Sequence, residues 1–307
     1  MLTRRAAILA PLASVAATQF ASSASAQTAP PGKMFLSIHQ NTSRAAGFRG
    51  SLEGWAKAGI THVEITDTMV TGFMRDGGSL ADARQIVKDN GLTIVSAAAV
   101  LPDVWIPGDA RGASLETWRE RCEEFKEIGS NRIYCPSITN RRVTQADYDA
   151  TPEMIRESGD IAAEYELTAM IEFARTSTHM ATLETTLRMI RAADHPNVKP
   201  MMDFFHFWSG MSKFEDLDLF EPGELQHCHF QDYSGAPREI ATNNDRLIPG
   251  DGVTPLIRII RKLAEKQYRG ALSVELFLRE LTNGDPEEVA TEIKTKCDAV
   301  MSEAGVL

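Results

Sequence analysis

The sequence lacks an excess of positive charge and, beyond its first residues, any long hydrophobic run. It has 32 lysines and arginines against 42 aspartates and glutamates, which gives a formal net charge of −10. Proteins that bind nucleic acid over a broad surface usually carry a basic patch, and a membrane span needs about 20 apolar residues. We therefore expect no nucleic-acid partner and no stable membrane insertion, and we leave open whether the protein forms a homo-oligomer.

Cysteine is also scarce. The four cysteines are Cys122, Cys135, Cys228 and Cys297. No two of them have the short CxxC spacing of redox or metal motifs, and a disulfide requires close Cα atoms, which this spacing does not indicate. We expect four free thiols, which agrees with folding in a reducing compartment.

The N-terminal segment is typical of an export signal. Arg4 and Arg5 precede the apolar run AAILAPLASVAATQF, and the A-x-A cleavage pattern at 24–26 stands before Gln27. The arginine pair resembles a twin-arginine signal, which exports folded proteins. An ordinary secretory signal or an uncleaved anchor are the alternatives. We predict a signal peptide over residues 1–26 and a periplasmic or secreted product.

Residues 27–33 are expected to form a linker, and residues 34–307 a single domain. Short apolar runs alternate there with amphipathic stretches, and they begin near Met34, His62, Thr93, Arg132, Thr168, Val198, Leu225 and Gly270. Capping residues and glycines predict helices between them, over 51–59, 79–90, 115–128 and 255–266. Alternating βα units favour a parallel sheet, and eight units favour closure into a (β/α)8 TIM barrel, an α/β fold.

Four residues that can bind a metal each end a different predicted strand: Glu172, Asp203, His229 and Glu275. Barrel enzymes keep their chemistry at the carboxyl ends of the strands, and a polar residue at the end of a buried strand is costly without a partner. Three carboxylates and one imidazole suit a divalent cation. His227 points to the same face as His229 and is the rival ligand.

The second half of the chain resembles the sugar phosphate isomerase/epimerase superfamily, the xylose isomerase-like TIM barrels. The matching pieces are Glu172 in MIEF, Asp203 and His206 in DFFH, His229 and Asp232 in HCHFQD, Arg246 in RLIPGDG, and Glu275 in YRGALSVEL. The resemblance implies one divalent ion held by the glutamate, aspartate, histidine and glutamate of strands five to eight. The carboxylate-rich set favours manganese, with magnesium, cobalt or zinc as substitutes.

The resemblance also implies roles in catalysis and binding. Glu172 and Glu275 would exchange a substrate proton as well as bind the metal. His206 and Arg246 are expected to contact substrate oxygens, and Asp232 to contact substrate or orient His229. The implied activity is that of a metal-dependent sugar isomerase or epimerase, with proton transfer through a metal-stabilised enediolate and a sugar or keto-sugar as the substrate.

Some alternatives remain open. A keto-sugar or keto-glycoside lyase or dehydratase would use the same fold and metal, and a sugar-binding barrel would keep the ion without turnover. A DNA-repair endonuclease of this fold would need a basic face, which the net charge argues against. Thr178 stands where ketose epimerases carry a glutamate, and Arg175 and His179 are candidates to fill that space. The long loop at 231–252 is expected to contact substrate or close as a lid, and Glu64 either faces the pocket or forms a structural ion pair.

Export is expected to depend on the arginine pair. Replacing both Arg4 and Arg5 with Lys should leave unprocessed precursor in the cytoplasm, because the twin-arginine route reads the arginines themselves. Fractionation followed by N-terminal sequencing measures this. A normally processed product that begins at Gln27 would instead indicate the general secretory route.

Overall fold

Eight parallel strands of the chain pair in a closed ring, in the order β1-β10-β7-β6-β5-β4-β3-β2. The computed structural model describes residues 33–307. The strands are β1 (Phe35–His39), β2 (His62–Thr66), β3 (Thr93–Ala98), β4 (Arg132–Pro136), β5 (Thr168–Glu172), β6 (Val198–Asp203), β7 (His227–His229), β8 (Asp232–Tyr233), β9 (Arg246–Leu247) and β10 (Ala271–Val274). The predicted single-domain TIM barrel is confirmed, whereas the predicted signal peptide and nearly all of the predicted linker lie outside the described residues.

Helices cover the outside of the ring. They are α1 (Gly47–Lys57), α2 (Asp67–Arg75), α3 (Leu80–Asp89), α4 (Arg111–Ile128), α5 (Gln145–Glu164), α6 (Leu183–Ala193), α7 (Phe204–Ser209), α8 (Leu256–Glu265), α9 (Arg279–Thr282) and α10 (Pro286–Ala304). Short 3₁₀ helices span Gln40–Ala46, Phe214–Leu219 and Asn243–Asp245. Among the described residues no helix combines the length and apolar character that a bilayer crossing needs.

The predicted helix start at Ser79 was right, whereas those at Ser51 and Leu115 were wrong. Ser79 forms a capping box with Asp82 at the start of α3, as its sequence predicts. Ser51 was expected to begin a helix, but α1 begins at Gly47. The reason is that the Ser51 hydroxyl is buried and donates to the backbone oxygen of Phe48, one turn earlier. Helix α4 likewise begins four residues before the predicted Leu115, at Arg111.

Strand register brings the predicted ligands to one level of the barrel. Asp203 pairs with His229 across β6 and β7, and each is the last residue of its strand. Glu172 ends β5 and pairs with Met201 of β6. Because parallel strands of a barrel share their direction, these ends meet at one mouth of the barrel.

The strands and the helices around them share one main apolar core, and a separate small buried cluster consists of Ala98, Tyr134, Met170 and Met201. The main core includes Trp118 and Phe125 of α4 and the aromatic residues Phe204 and Phe207 that follow β6. Trp105 lies there too, and its indole N–H donates to the backbone oxygen of Cys135 at 2.9 Å. All four cysteines are buried and unpaired, which confirms the predicted free thiols.

The long loop after β7 has structure of its own. The sequence suggested an irregular segment over 231–252, but β8 and β9 pair within it as an antiparallel ribbon. Asp232 starts this ribbon, and its carboxylate accepts hydrogen bonds from the backbone N–H groups of Tyr233, Gly250, Gly252 and Thr254 at 2.8 to 3.1 Å. Both carboxylate oxygens of Asp232 therefore accept hydrogen bonds from the backbone of its own loop.

This arrangement corrects the sequence-based expectation for Asp232. Its carboxylate contacts four backbone N–H groups instead of a substrate or the His229 imidazole. Asp232 lies three residues after His229, which suggested proximity, but its carboxylate is bound by the backbone N–H groups of the loop. Asp232 therefore joins the two ends of the loop by hydrogen bonds.

Replacing Asp232 with Ala should lower the free energy of unfolding by about 2–4 kcal/mol, because several buried N–H groups lose a charged acceptor. Denaturant unfolding measures this change. Asp245→Ala is the matched control in the same loop, where the carboxylate is less buried and its partners are nearer to solvent; its effect should be clearly smaller. Equal losses for the two variants would contradict the role assigned to Asp232.

Candidate metal centre

The four side chains predicted as metal ligands converge at the mouth of the barrel. Nδ1 of His229 lies 3.0 Å from Glu172 Oε1, 3.4 Å from Asp203 Oδ2 and 3.4 Å from Glu275 Oε2. All four side chains are buried. The ligating atoms of Asp203, His229 and Glu275 lie within 4.8 Å of one another, close enough to surround a single ion.

Glu64 sets the orientation of the His229 ring from below. The Nε2 atom of His229 lies 3.3 Å from Glu64 Oε2, and this carboxylate also accepts from Ser273 Oγ at 2.6 Å. A carboxylate accepts hydrogen bonds only, so both ring nitrogens of His229 face acceptors: Nε2 faces Glu64, and Nδ1 faces the three other carboxylates. A metal ion at Nδ1 would leave the single proton of the neutral ring on Nε2, directed at Glu64. The sequence left two roles open for Glu64, and the structure shows the buried ion-pair role.

The carboxylates and the imidazole change one another's pKa values. Burial raises the pKa of Glu172 to about 7. Burial alone would lower the pKa of His229, yet the carboxylates, Glu64 foremost, raise it well above its usual value. Either a proton on Nδ1 or a metal ion can balance the negative charge of these carboxylates. An imidazole nitrogen held by a carboxylate on its far side is the usual arrangement of a histidine that binds metal.

Arg246 supplies the only permanent positive charge in contact with the predicted ligands among residues 33–307. Its Nη1 atom lies 2.6 Å from Asp203 Oδ2 and 2.8 Å from Glu275 Oε2. The guanidinium is buried, 4.8 Å from the centre of the Phe205 ring and 5.2 Å from that of Phe277. Nη1 of Arg246 therefore contacts two of the predicted ligands, and the substrate contact expected of Arg246 stays a prediction.

His206 lies beside this guanidinium, where the sequence predicted a substrate contact. Its Nε2 atom is 3.2 Å from Arg246 Nη2. The backbone N–H of His206 donates to Asp203 Oδ1 at 2.6 Å, and this bond caps α7. Burial lowers the pKa of His206 to about 4, so the ring is neutral at neutral pH. Both His206 and Arg246 line the cavity above the ligands.

The cavity has a volume of about 860 Å³. This is within the range of about 300–1,000 Å³ for small-molecule sites. Glu172, Glu275 and Tyr134 line it, and the rim includes the exposed apolar side chains Val100 and Ile138. Buried carboxylates thus lie at its floor, whereas the exposed residues around it include apolar side chains and the charged Arg44.

The long loop forms one wall of this cavity, as the sequence suggested. Ala241 and Thr242 of the loop line it, together with Arg175. Arg175 holds the loop in place, because its Nη1 donates to the backbone oxygen of Ala241 at 2.8 Å and its Nη2 to that of Arg238. Of the two residues expected near the missing glutamate, only Arg175 reaches the cavity.

His179 lies elsewhere. Its Nε2 atom is 2.8 Å from Thr151 Oγ1, and its ring packs at a tilt against Tyr148. His179 therefore packs against α5. His227, the rival ligand, lies beneath the metal centre, where Nε2 is 3.0 Å from Glu64 Oε2. The predicted ligand His229, and not His227, faces the three other ligands.

Sequence reasoning missed several contacts to the ligands. Asn41 donates to Glu275 Oε1 at 3.1 Å, and Gln231 donates to Asp203 Oδ2 at 2.5 Å. His39 lies 3.7 Å from Glu275 Oε1. His39 was detectable, because it is the last residue of β1 and obeys the same strand-end rule as the four ligands. Asn41 lies in the 3₁₀ helix after β1 and Gln231 in the short connection after β7, and neither position carries such a signal.

Comparison with known proteins places this geometry in context. A family model described as xylose isomerase-like TIM barrel matches residues 52–296. An inosose isomerase of Bacillus velezensis is 25% identical over 268 residues, which cover 84% of this chain and 93% of that protein. A 3-dehydroshikimate dehydratase of Bacillus anthracis is 27% identical over 178 residues, 52% of this chain and 63% of that protein. The crystal structure of a protein named IOLI, with a zinc atom, superposes with a TM-score of 0.81 at 22% identity and covers 88% of this chain and 99% of its own.

Divalent metal should bind at this centre and depend on His229. The change from His229 to Gln removes the imidazole nitrogen between the carboxylates, so stoichiometric metal should be lost on dialysis. His227→Gln is the matched control, because an amide can still donate to Glu64 and the ligand set is intact. Elemental analysis measures metal per chain, and the melting temperature should rise with added metal only where the site is complete. Retention of one tightly bound ion by the His229→Gln variant would contradict the assignment.

Proposed function

The chain belongs to the xylose isomerase-like TIM barrel family, and from this premise we propose that it is a divalent-metal-dependent isomerase or epimerase of a sugar or keto-sugar. Its matched relatives include isomerases and dehydratases. The proposal extends to an exported enzyme, which the arginine pair near the N-terminus supports.

One observation carries the proposal. Oxygens of Glu172, Asp203 and Glu275 surround a single nitrogen of His229 at 3.0 to 3.4 Å. One nitrogen cannot donate to three oxygens at once, whereas one ion can bind three oxygens and a nitrogen. The residues therefore fit a divalent metal, and the oxygen-rich set is compatible with manganese, magnesium, cobalt or zinc.

When bound, such an ion would polarise a substrate carbonyl and the adjacent hydroxyl, and so acidify the C–H bond between them. The chain must then provide a base beside that carbon. Glu172 is suited to this role, because its Oε1 faces His229 while its Oε2 accepts no hydrogen bond from the part of the chain described and the residue lines the cavity. Glu275 is the second carboxylate at the cavity floor, three strand positions away around the ring.

Glu275 is held more firmly than Glu172. Its Oε1 accepts from Asn41 and its Oε2 from Arg246. A base whose oxygens are fixed keeps its position relative to the substrate carbon, which lowers the cost of orientation in the transition state. Two carboxylates on different strands allow removal of a proton by one and its return by the other, as an epimerase requires.

The surrounding residues can orient the substrate and limit access of water. His206 Nε2 and the outer edge of the Arg246 guanidinium line the cavity beside Glu275. The aromatic rings of Phe205 and Phe277 cover the guanidinium. A polyhydroxy ketone presents oxygens for the first pair and C–H faces for the second.

A second candidate is elimination, as in a dehydratase or a keto-glycoside lyase. The observation that favours it is the match to the 3-dehydroshikimate dehydratase named above, which covers about half of this chain. The first step, removal of an acidified proton, is shared with the isomerase; the second step expels a leaving group from the next carbon instead of reprotonating. The same base and ligands serve both.

Solvent exchange separates the two reactions. The metal-loaded protein is incubated in D2O with a panel that includes an inosose, D-fructose and 3-dehydroshikimate, and products are followed by mass spectrometry and NMR. An isomerase or epimerase incorporates deuterium into an isomer of the same composition, whereas a lyase releases water or another leaving group. Absence of exchange and of product throughout the panel and its keto-glycoside derivatives would count against both.

Replacing Glu172 or Glu275 with Gln should reduce turnover about 10²–10⁴-fold, because an amide cannot accept the proton near neutral pH. Gln keeps the size and one oxygen donor, so each variant is compared at saturating metal, with metal content measured in parallel. Glu153→Gln, at an exposed site on α5, is the matched control and should leave turnover unchanged. Native exchange of the substrate proton by a metal-saturated Glu172→Gln or Glu275→Gln variant would remove that residue from proton transfer.

A further inference from the structure

Two buried residues beside the metal centre have no part in the proposed chemistry so far. His39 is the last residue of β1, and Tyr134 lies in β4. The Tyr134 ring packs edge-on against the ring of His229, with centroids 5.2 Å apart, and it lines the cavity. The phenol is therefore next to the ligands and next to the space that a substrate would occupy.

The backbone fixes which nitrogen of His39 carries its proton. The N–H of Asn41 donates to His39 Nδ1 at 3.1 Å, so Nδ1 is an acceptor and has no proton. The proton of the neutral ring is then on Nε2. The oxygen nearest to Nε2 is Tyr134 Oη, at 3.1 Å, whereas Glu275 Oε1 is at 3.7 Å, beyond a good hydrogen bond.

Because His39 donates to Tyr134 Oη, the hydroxyl hydrogen of Tyr134 is not used in this hydrogen bond. A phenol donates one hydrogen bond and is protonated at neutral pH. Its oxygen already accepts from His39, and no residue from 33 to 307 provides an acceptor within hydrogen-bond distance of it. The remaining direction for the O–H group is the cavity.

We infer that Tyr134 is a catalytic residue that donates a hydrogen bond to a substrate oxygen, and that His39 is the positioning residue that directs this donor. The inference rests on the proposed function, because it requires a substrate with oxygens at the metal centre. A neutral donor directed into the cavity stabilises negative charge that develops on a carbonyl oxygen. It does so without adding a further charge to the buried carboxylates.

The first test uses acetohydroxamate, a probe with two adjacent oxygens like those of a hydroxy ketone. Calorimetric titration compares the metal-loaded native protein with Tyr134→Phe, which removes the hydroxyl and keeps the ring. Loss of one hydrogen bond should weaken the probe about threefold to tenfold, with unchanged metal content by elemental analysis. Tyr148→Phe, away from the cavity on α5, is the matched control and should bind the probe as the native protein does.

The second test concerns the direction of the donor. His39→Leu removes the group that donates to Tyr134 and should weaken the probe to a similar degree, while His39→Gln retains an N–H donor and should recover part of the affinity. Because His39 acts through Tyr134, the double variant His39→Leu with Tyr134→Phe should bind no worse than Tyr134→Phe alone.

The outcomes separate this inference from the function on which it rests. Native affinity for the probe in Tyr134→Phe, with native deuterium exchange on the keto-sugar panel, overturns the inference and leaves the proposed function standing. Loss of metal in Tyr134→Phe also overturns it, because the tyrosine would then support the ion instead of the substrate. Failure of the metal-loaded native protein to bind the probe and to exchange any substrate proton refutes both.

Discussion

Buried negative charge at the mouth of the barrel is the constraint on which the rest of the site depends. The carboxylates involved are Glu64, Glu172, Asp203 and Glu275. In the described part of the chain, Arg246 is the only permanent cation in contact with them. Burial of unpaired charge is costly, and the neighbouring groups offset it. Glu64 accepts a hydrogen bond from His229 Nε2, Asn41 donates to Glu275, and Nδ1 of His229 faces the carboxylate oxygens among which a divalent ion fits.

Much of the fold and the ligand set could be predicted because both depend on local patterns. The observed strands begin within two residues of the predicted positions, since short apolar runs between helical stretches are a strong signal for buried parallel strands. Once the strands are parallel and the barrel is closed, their carboxyl ends must share one mouth. A residue predicted at a strand end, such as Asp203 or His229, can therefore be placed at the barrel mouth from the sequence alone.

The roles of neighbouring residues were less predictable because they depend on where loops return. Asp232 follows His229 closely in sequence, yet its carboxylate meets N–H groups about 20 residues later, which only the ribbon brings near. The contact of Arg246 with Asp203 was likewise not predictable, because the same ribbon sets the position of Arg246. In the sequence Tyr134 is an ordinary strand residue, and the donor role inferred for it depends on the position of the proton on His39.

The loop that forms one cavity wall is anchored at its ends and near its tip, but the tip exposes an apolar side chain. Asp232 joins the two ends of the loop, and Arg175 holds the backbone at Arg238 and Ala241, while Ile240 between them is 69% exposed. Changes in the side chain at Ile240 would therefore leave the ligands in place. Evolution can alter substrate preference in this segment separately from the chemistry of the barrel mouth, so descendants of one ancestral barrel can share a reaction step while acting on different compounds.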